Sequence, residues 1–250
     1  KLRSLMGHDG PMGRGIAGKY GIDAWYVPTL SAVGAVFFVV LAIKQSPPSQ
    51  YIDIAFAIFL TLQVIFYLHT SLRGKFRIWR RLIAQLPTPP AQILDVGCGR
   101  GMVLITALTA YQHAEGVGLD LWRSRDQTRN DPLTTMENAR LNNVEKRVRL
   151  VTESMLDMSL PSNSFDAVFA NVAIQNIKSR DGRREAIENI YRVTKPGGQI
   201  RIVDIEFIKE YRNDLLALGA TDVKTKWFGM SGWFGNPLYA SKLVSASKPK

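Results

Sequence analysis

The segment that constrains this chain most is an apolar run that ends in closely spaced glycines. Ile93–Val96 is apolar except for Asp95, which predicts a buried strand, and glycines follow at positions 97, 99 and 101. Glycine has no Cβ, so such a segment can turn tightly and let a ligand approach the backbone. The spacing G-x-G-x-G, with Met102 next, departs from the dinucleotide fingerprint G-x-G-x-x-G. Asp95, two positions before the first glycine, suits a ligand that carries an ammonium group.

Three later segments also combine an apolar strand with a polar end. Glu115–Asp120 ends in Asp120, which follows Asp95 by 25 residues, near the spacing at which a carboxylate meets ribose hydroxyls. Phe165–Asn171 predicts another strand, and Tyr191–Asp204 predicts a helix end, a Pro-Gly-Gly turn and a further strand. In this order, over residues 92 to 247, the four segments resemble the class I S-adenosylmethionine-dependent methyltransferases.

The resemblance implies an α/β fold with a doubly wound, seven-stranded, mostly parallel sheet. Alternating short strands and helices predict the same architecture, with helices on both faces. The predicted strands lie near 92–96, 115–120, 147–152, 165–171 and 198–205, and a closing antiparallel pair lies near 221–226 and 238–246. The predicted helices lie near 101–112, 132–142, 181–194 and 208–219.

The resemblance also implies S-adenosyl-L-methionine as the cofactor. Asp95 to Gly101 would hold its methionine part, Asp120 its ribose diol, and Trp122 one face of its adenine, although plain packing explains Trp122 equally well. Ser154 and Met155 stand where the family usually has an acidic residue that contacts the adenine, and Glu153 or Asp157 are alternatives. The predicted cofactor-binding residues are Asp95, Gly97, Cys98, Gly99, Gly101, Asp120, Leu121, Trp122, Ser154, Met155 and Asn171.

Cys98 is the single cysteine of the chain, which excludes an internal disulfide and a zinc site built from cysteines. Its place inside the glycine turn favours a packing role over a nucleophilic one. No metal site is predicted.

Catalytic candidates follow from the chemistry of methyl transfer. The reaction is an in-line displacement, so positioning matters most, and a general base is needed only when the acceptor holds its proton at neutral pH. His69 ends the second of two apolar runs, and Asn171, Gln175 and Asn176 follow the fourth predicted strand, where acceptor groups lie in this fold. A purely structural role remains the alternative for each of these residues.

Two apolar runs precede the predicted domain. Val27–Ile43 and Ile54–Leu68 contain 17 and 15 residues, somewhat fewer than the roughly 20 that cross a bilayer, and a polar, proline-containing turn joins them. Neither run has the polar stripe of a surface helix, which favours a membrane hairpin, but Asp53 and Gln63 leave a soluble hairpin packed on the domain as the alternative. The predicted divisions are a glycine-rich segment at 1–25, the hairpin at 26–69, a basic juxtamembrane segment at 70–90 and the methyltransferase domain at 91–250.

Charge is concentrated near these runs. Residues 1–86 hold 10 Lys/Arg and 3 Asp/Glu, whereas residues 87–250 hold 22 and 18. Most of the total charge of +11 therefore lies outside the main domain, and this distribution argues against a nucleic-acid surface there. The densest basic cluster suits anionic lipid headgroups and, by the positive-inside tendency, predicts the main domain on the cytosolic or organelle-matrix side. Lys75 also belongs to an Arg-Gly-Lys stretch that resembles one in small-molecule methyltransferases. That resemblance implies that Lys75 could contact a carboxylate. The cluster is Arg73, Lys75, Arg77, Arg80 and Arg81.

Together these patterns predict a membrane-associated methyltransferase that acts on a small, lipophilic acceptor at oxygen, sulfur or carbon, with membrane lipid as a partner. Asn171–Ile174 lacks the Asn/Asp-Pro-Pro-aromatic pattern that resembles amino-methylating enzymes. Two alternatives stay open. One is a non-catalytic subunit that keeps the fold and sits in a membrane complex, and the other is an RNA or protein methyltransferase.

Overall fold

The computed structural model describes residues 16–123 and 130–250. The first 15 residues of the glycine-rich segment and residues 124–129, in the loop after Trp122, lie outside the described residues.

A seven-stranded sheet forms the centre of the fold, in the order β3-β2-β1-β4-β5-β7-β6. Strands β1 to β5 are parallel to their neighbours, and β7 is antiparallel to both β5 and β6. This arrangement confirms the predicted fold class. The strands are β1 (Gln92–Val96), β2 (Glu115–Asp120), β3 (Val148–Thr152), β4 (Phe165–Asn171), β5 (Thr194–Asp204), β6 (Thr221–Trp227) and β7 (Lys242–Ser247).

Helices cover both faces of this sheet. Buried residues of α6 and α7 pack on one face, and those of α3, α4 and α5 pack on the other, so that the central strands are buried from both sides. These helices are α3 (Lys75–Ala84), α4 (Met102–Ala110), α5 (Pro132–Leu141), α6 (Arg180–Val193) and α7 (Ile208–Ala217).

Two strand boundaries differ from the sequence-based prediction. Strand β5 begins at Thr194 rather than near 198, because Thr194 pairs with Phe165 across a register shift that accommodates the Pro-Gly-Gly segment. Strand β7 begins at Lys242 rather than near 238, since Pro237–Tyr239 forms a short 3₁₀ turn capped by the Asn236 side chain. Pattern alone does not reveal either feature.

The N-terminal hairpin consists of α1 (Tyr26–Lys44) and α2 (Ser49–His69). Helix α2 passes through one π-helical turn, Thr70–Gly74, directly into α3, so that residues 49–84 form one continuous helix. Both hairpin helices are longer than the apolar runs in the sequence. By length and composition alone, each is long enough to cross a membrane.

The loop that joins β6 to β7, residues 228–241, lies at the carboxyl edge of the sheet. Lys242 at the start of β7 pairs with Asp204, the last residue of β5, and with Trp227, the last residue of β6. The ends of β1 and β4 lie at the same edge because these strands run parallel to β5. Ligands of open α/β sheets bind at this edge.

Candidate active site

The glycine turn after β1 adopts a backbone conformation that favours glycine. Gly97 and Gly101 have φ angles of +71° and +77°, in the left-handed region. A Cβ on Gly97 would lie 2.4 Å from Cβ of Ala173, and one on Gly101 would lie 2.9 Å from Cγ2 of Thr135. The turn is fixed from beneath, since Thr135 Oγ1 donates to Gly99 O at 2.7 Å. The sequence pattern gave no indication of this role for Thr135.

Asp95 lies beneath the turn and is almost completely buried. Its Oδ2 accepts a hydrogen bond from the backbone N–H of Leu104, in the first turn of α4, at 3.1 Å. Among the described residues, its Oδ1 has no hydrogen-bond partner. Burial raises the pKa of Asp95 to about 7, because the ionised form loses its hydration. A cationic ligand group near Oδ1 would stabilise the carboxylate and complete its hydrogen bonding.

Asp120 ends β2 and accepts hydrogen bonds from the glycine turn and from the loop that follows β2. One of its oxygens accepts from the N–H of Gly99 at 2.8 Å, and the other accepts from Trp122 N–H at 2.7 Å and from Asn130 Nδ2 at 3.2 Å. A carboxylate has about four acceptor positions, so these three bonds leave roughly one. A ribose diol that donates twice would therefore displace the longest bond, the one from Asn130.

Asn130 is a ligand candidate that the sequence reasoning missed. Its side chain is buried beside Asp120, and its Oδ1 has no partner within the described part of the chain. Once displaced from Asp120, the amide could accept from the same diol. An isolated asparagine in a polar loop carries no sequence signal for this position.

The adenine side of the site is bounded by Trp122, which follows Asp120 with a positive φ of 56°. Its indole Nε1 donates to Thr152 Oγ1, at the end of β3, at 2.8 Å. Ser154 Oγ caps a local turn by accepting from Leu156 N–H, and the Glu153 carboxylate accepts from Ser159. Thus the side chains of Glu153 and Ser154 both take part in local hydrogen bonds.

Met155 and Cys98 lie against the glycine turn. A Cβ on Gly97 would lie 3.5 Å from Cε of Met155, which places this methionine next to the turn. Cys98 is buried against Gly118, and burial raises the pKa of its thiol well above the usual value. Cys98 is therefore a protonated packing group at neutral pH. Leu121, the remaining predicted cofactor residue on this side, is exposed.

The residues predicted to lie near the methyl acceptor have different surroundings. Asn171, at the end of β4, accepts at Oδ1 from the indole N–H of the fully buried Trp79, at 2.7 Å. Gln175 Oε1 is buried and lacks a partner among residues that the structure describes, whereas Asn176 is exposed. His69 is half-buried at the end of α2. Of these side chains, Gln175 is the one with a buried acceptor atom still to be satisfied.

A second buried carboxyl, Asp204, ends β5. Its Oδ2 accepts from Gln175 N–H at 3.1 Å and from Tyr211 Oη at 3.4 Å, and burial raises its pKa to about 7. Asp204 therefore holds the backbone of Gln175 in place. It does not reach the surface, being almost fully buried.

An N-terminal strap, Ile16–Asp23, crosses from the glycine turn to the hairpin. Lys19 O accepts from Arg100 Nη1 at 3.2 Å, and Tyr20 packs edge-on against Phe76. At the other end, Lys75 Nζ lies 2.8 Å from an Asp23 carboxylate oxygen. The carboxylate that Lys75 contacts here is that of Asp23 in the same chain. Lys75 is buried, so it is not a lipid-facing member of the basic cluster.

Comparison with known proteins identifies the fold of this site. A family described as a methyltransferase domain matches residues 94–202. The structure of geranyl diphosphate C-methyltransferase from Streptomyces coelicolor, a complex with Mg²⁺, geranyl diphosphate and S-adenosyl-L-homocysteine, superposes with a TM-score of 0.55. The superposition has 14% identity and covers 71% of this chain and 79% of that one.

This domain has the fold of the class I S-adenosylmethionine-dependent methyltransferases, and most of it matches the methyltransferase-domain family. The resemblance in the sequence is thereby confirmed, and S-adenosyl-L-methionine is the cofactor of this superfamily. An O-methyltransferase, rstn1, of Aspergillus nomiae is 28% identical over 132 residues, 52% of this chain and 53% of that protein. The ubiquinone/menaquinone biosynthesis C-methyltransferase UbiE of Hydrogenovibrio crunogenus is 26% identical over 140 residues, 55% and 52% of the two chains. The chain thus spans about half the length of these relatives.

The residues of this methyltransferase domain fit the cofactor. When bound, its sulfonium supplies an electrophilic methyl group. The backbone of the glycine turn could lie against the methionine part, the unsatisfied Asp95 Oδ1 suits its ammonium group, and Asp120 with Asn130 suits its ribose diol. Gln175 Oε1 could accept a hydrogen bond from a hydroxyl group of the molecule that receives the methyl group. No metal cluster of three or more His, Cys, Asp or Glu side chains occurs in residues 16–123 and 130–250.

Proposed function

We propose that this protein is a membrane-anchored methyltransferase that transfers a methyl group from S-adenosyl-L-methionine to a small, lipophilic acceptor at oxygen, sulfur or carbon. The observation that carries the proposal is the position of the apolar hairpin. Its base packs at the carboxyl edge of the sheet, which is also the edge that holds the cofactor residues.

The outward surface of the hairpin is apolar. Large side chains such as Phe37, Ile58 and Ile65 are exposed, whereas the carboxylate of Asp53 is buried. A core helix of a soluble protein would be mostly buried, but only 17% of each apolar window is buried here. The exposed side chains therefore favour a lipid environment over the soluble alternative.

The hydroxyl groups of the hairpin also suit hydrocarbon. Thr29, Ser31 and Thr61 each donate to the backbone carbonyl four residues earlier, at distances of 2.8 to 3.1 Å. Polar groups in a bilayer must be satisfied internally because no water is available. The two helices have 19 and 21 residues, and at about 1.5 Å per residue their lengths are close to the roughly 30 Å of a hydrocarbon core.

The base of the hairpin meets the domain above the site. Rings of Phe66 and Trp233 lie 5.2 Å apart, and Thr70 Oγ1 donates to Trp233 O. Further along the same continuous helix, Trp79 binds Asn171 at the end of β4. An acceptor dissolved in the bilayer would thus find the site near the membrane surface, which favours a lipophilic substrate. Basic residues on both flanks of the hairpin favour the cytosolic or matrix side for the domain.

The relatives support an acceptor of this chemistry. The named substrate of the Streptomyces enzyme is an isoprenoid diphosphate, and UbiE is named for quinone biosynthesis. Both classes of molecule combine a polar group with an apolar chain. Quinols and phenols with isoprenoid tails are therefore the first acceptors to test, together with thiols.

The test is methyl transfer from labelled S-adenosylmethionine by the full chain in lipid nanodiscs. Each acceptor head group is offered with and without an isoprenoid tail. We expect transfer with a kcat/KM at least about tenfold higher for the tailed form, because partitioning concentrates it at the site. Asp120→Ala is the inactive control. Transfer confined to RNA, to protein or to water-soluble acceptors would contradict the proposal.

A further inference from the structure

The β6–β7 loop, residues 228–241, has an inner side that packs against the hairpin. The rings of Tyr67 and Phe234 lie 5.5 Å apart. A Cβ on Gly235 would lie 2.6 Å from Gln63, and one on Gly74 would lie 2.1 Å from the carbonyl oxygen of Ser231. These approaches are close enough to require glycine, so the loop and the end of α2 form one packed unit.

The outer side of this loop is apolar and exposed. Four large side chains at or beside it have exposed fractions above one half: Trp227 at 56%, Met230 at 61%, Leu238 at 85% and Tyr239 at 54%. We call these four residues the apolar crest. Single exposed apolar residues are ordinary, but several grouped on one loop mark an interaction surface. Tryptophan and tyrosine are the residues enriched where a membrane meets water.

Positive charge flanks the apolar crest. Arg73, Arg77 and Arg81 are exposed at four-residue spacing along the helix that continues from the hairpin. Lys224 and Lys226 are exposed on β6, next to Trp227, and the acidic Asp222 lies towards the opposite end of that strand. Basic side chains beside an apolar surface complement the anionic headgroups of a lipid bilayer.

We propose that the apolar crest inserts into the headgroup region of the same anionic bilayer that holds the hairpin. The inference rests on the membrane anchoring proposed above and adds a second, separate contact to it. Because the crest belongs to the carboxyl edge of the sheet, this contact holds the cofactor and acceptor side of the domain against the membrane. A tethered domain without the crest would instead be free to turn away from the surface.

The test measures the depth of single fluorescent labels on the full chain in phosphatidylglycerol-containing nanodiscs. The label is attached to a cysteine at position 238 (Leu238→Cys), at mid-hairpin position 36 (Val36→Cys), or at position 141 (Leu141→Cys). Position 141 ends α5, which packs near β3, the outer strand on the side of the sheet away from β6. Cys98 is buried, so the unsubstituted protein serves as the labelling blank. Lipids with spin quenchers at shallow or deep positions report the depth.

We expect strong shallow quenching at position 238, strong deep quenching at position 36, and quenching at position 141 lower by at least about fivefold. Replacing the anionic lipid with a neutral one should reduce quenching at 238 but not at 36. If 36 is quenched and 238 behaves like 141, the hairpin is inserted and the crest proposal is wrong. If 36 is not quenched either, membrane anchoring fails and the crest proposal falls with it.

An activity measurement complements the depth measurement. Leu238→Asp places a charge on the crest, and Leu141→Asp places one on the distant helix. We expect the crest variant to lower kcat/KM for a tailed acceptor in nanodiscs several-fold, with unchanged binding of S-adenosylhomocysteine. Equal activity of the two variants would overturn a role for the crest in presenting the site to the bilayer.

Discussion

Two buried carboxyl groups, Asp95 and Asp204, define the chemistry of the site at the residue scale. Asp95 is the penultimate residue of its strand and Asp204 is the last residue of its own, and burial raises the pKa of each to about 7. Their surroundings differ, however. Asp204 is satisfied by three donors of its own chain, whereas Asp95 has one oxygen without a partner in the described part of the chain. We therefore assign a structural role to Asp204 and a ligand-facing role to Asp95.

The raised pKa of Asp204 predicts a pH-dependent stability. The unfolded chain releases this proton near pH 4, whereas the folded protein keeps it until about pH 7. Below pH 4 the carboxyl is protonated in both states, so its ionisation does not affect the free energy of unfolding. As the pH rises from 4 towards 7, the free energy of unfolding falls by up to about 4 kcal/mol. Thermal unfolding at pH 5 and pH 8 measures the greater part of this loss.

In Asp204→Asn we expect the difference in melting temperature between pH 5 and pH 8 to shrink. Asp157→Asn, which removes an exposed carboxylate, is the matched control and should leave the difference unchanged. Identical pH dependence in the wild type and in Asp204→Asn would show that this carboxyl is not responsible.

Sequence patterns predicted the candidate site residues that belong to a local motif. Asp95, the glycines and Asp120 follow from spacing along one or two strands, and the structure places them together. Asn130 and Thr135 were missed because each acts through a contact across space. Likewise Trp79 donates a hydrogen bond to Asn171, 92 positions away, and no local sequence pattern reveals such a bond.

At the scale of elements, the continuous helix from Ser49 to Ala84 links the hairpin to the domain. Its buried face in α3 carries Ile78, Trp79 and Leu82, while its exposed face carries the arginines. The π-helical turn at Thr70–Gly74 adds a residue to the helix where it meets the β6–β7 loop. Sequence patterns predicted both hairpin helices and the basic segment, but they did not predict the π turn, which depends on this packing.

The ion pair between Lys75 and Asp23 fastens the strap to this helix. The Lys75 side chain is 7% exposed, and removing its partner would leave a buried, unpaired charge. We expect Asp23→Ala to reduce the free energy of unfolding by about 2 kcal/mol, less than for a fully buried pair because Asp23 is partly exposed. Thermal and denaturant unfolding in detergent measure the loss.

The exposed pair Lys19–Glu137 provides the control for this experiment. Its side chains are 71% and 53% exposed, so Glu137→Ala should change the free energy of unfolding by less than about 1 kcal/mol. Equal effects of the two substitutions would argue that the Asp23 pair does not hold the strap.

At the scale of the whole molecule, the sheet order and the hairpin were predictable, but their relation was not. The motif order along the chain implied a class I methyltransferase sheet, and uninterrupted apolar runs implied two long helices. That the hairpin base lies at the carboxyl edge follows from the contacts of Trp233 with Phe66 and Thr70, which lie far from it in the sequence. The acceptor proposal depends on this relation.

The central claim is that this domain holds a working cofactor site. Calorimetric binding of S-adenosylhomocysteine to the full chain in nanodiscs tests it most directly, with Asp120→Ala as the site variant and Glu115→Ala, at the other end of β2, as its control. We predict micromolar binding that Asp120→Ala weakens at least about tenfold, as expected for loss of charge-assisted hydrogen bonds, and that Glu115→Ala leaves unchanged. Absence of binding by folded wild-type protein would contradict the account and favour a scaffold that keeps only the methyltransferase architecture.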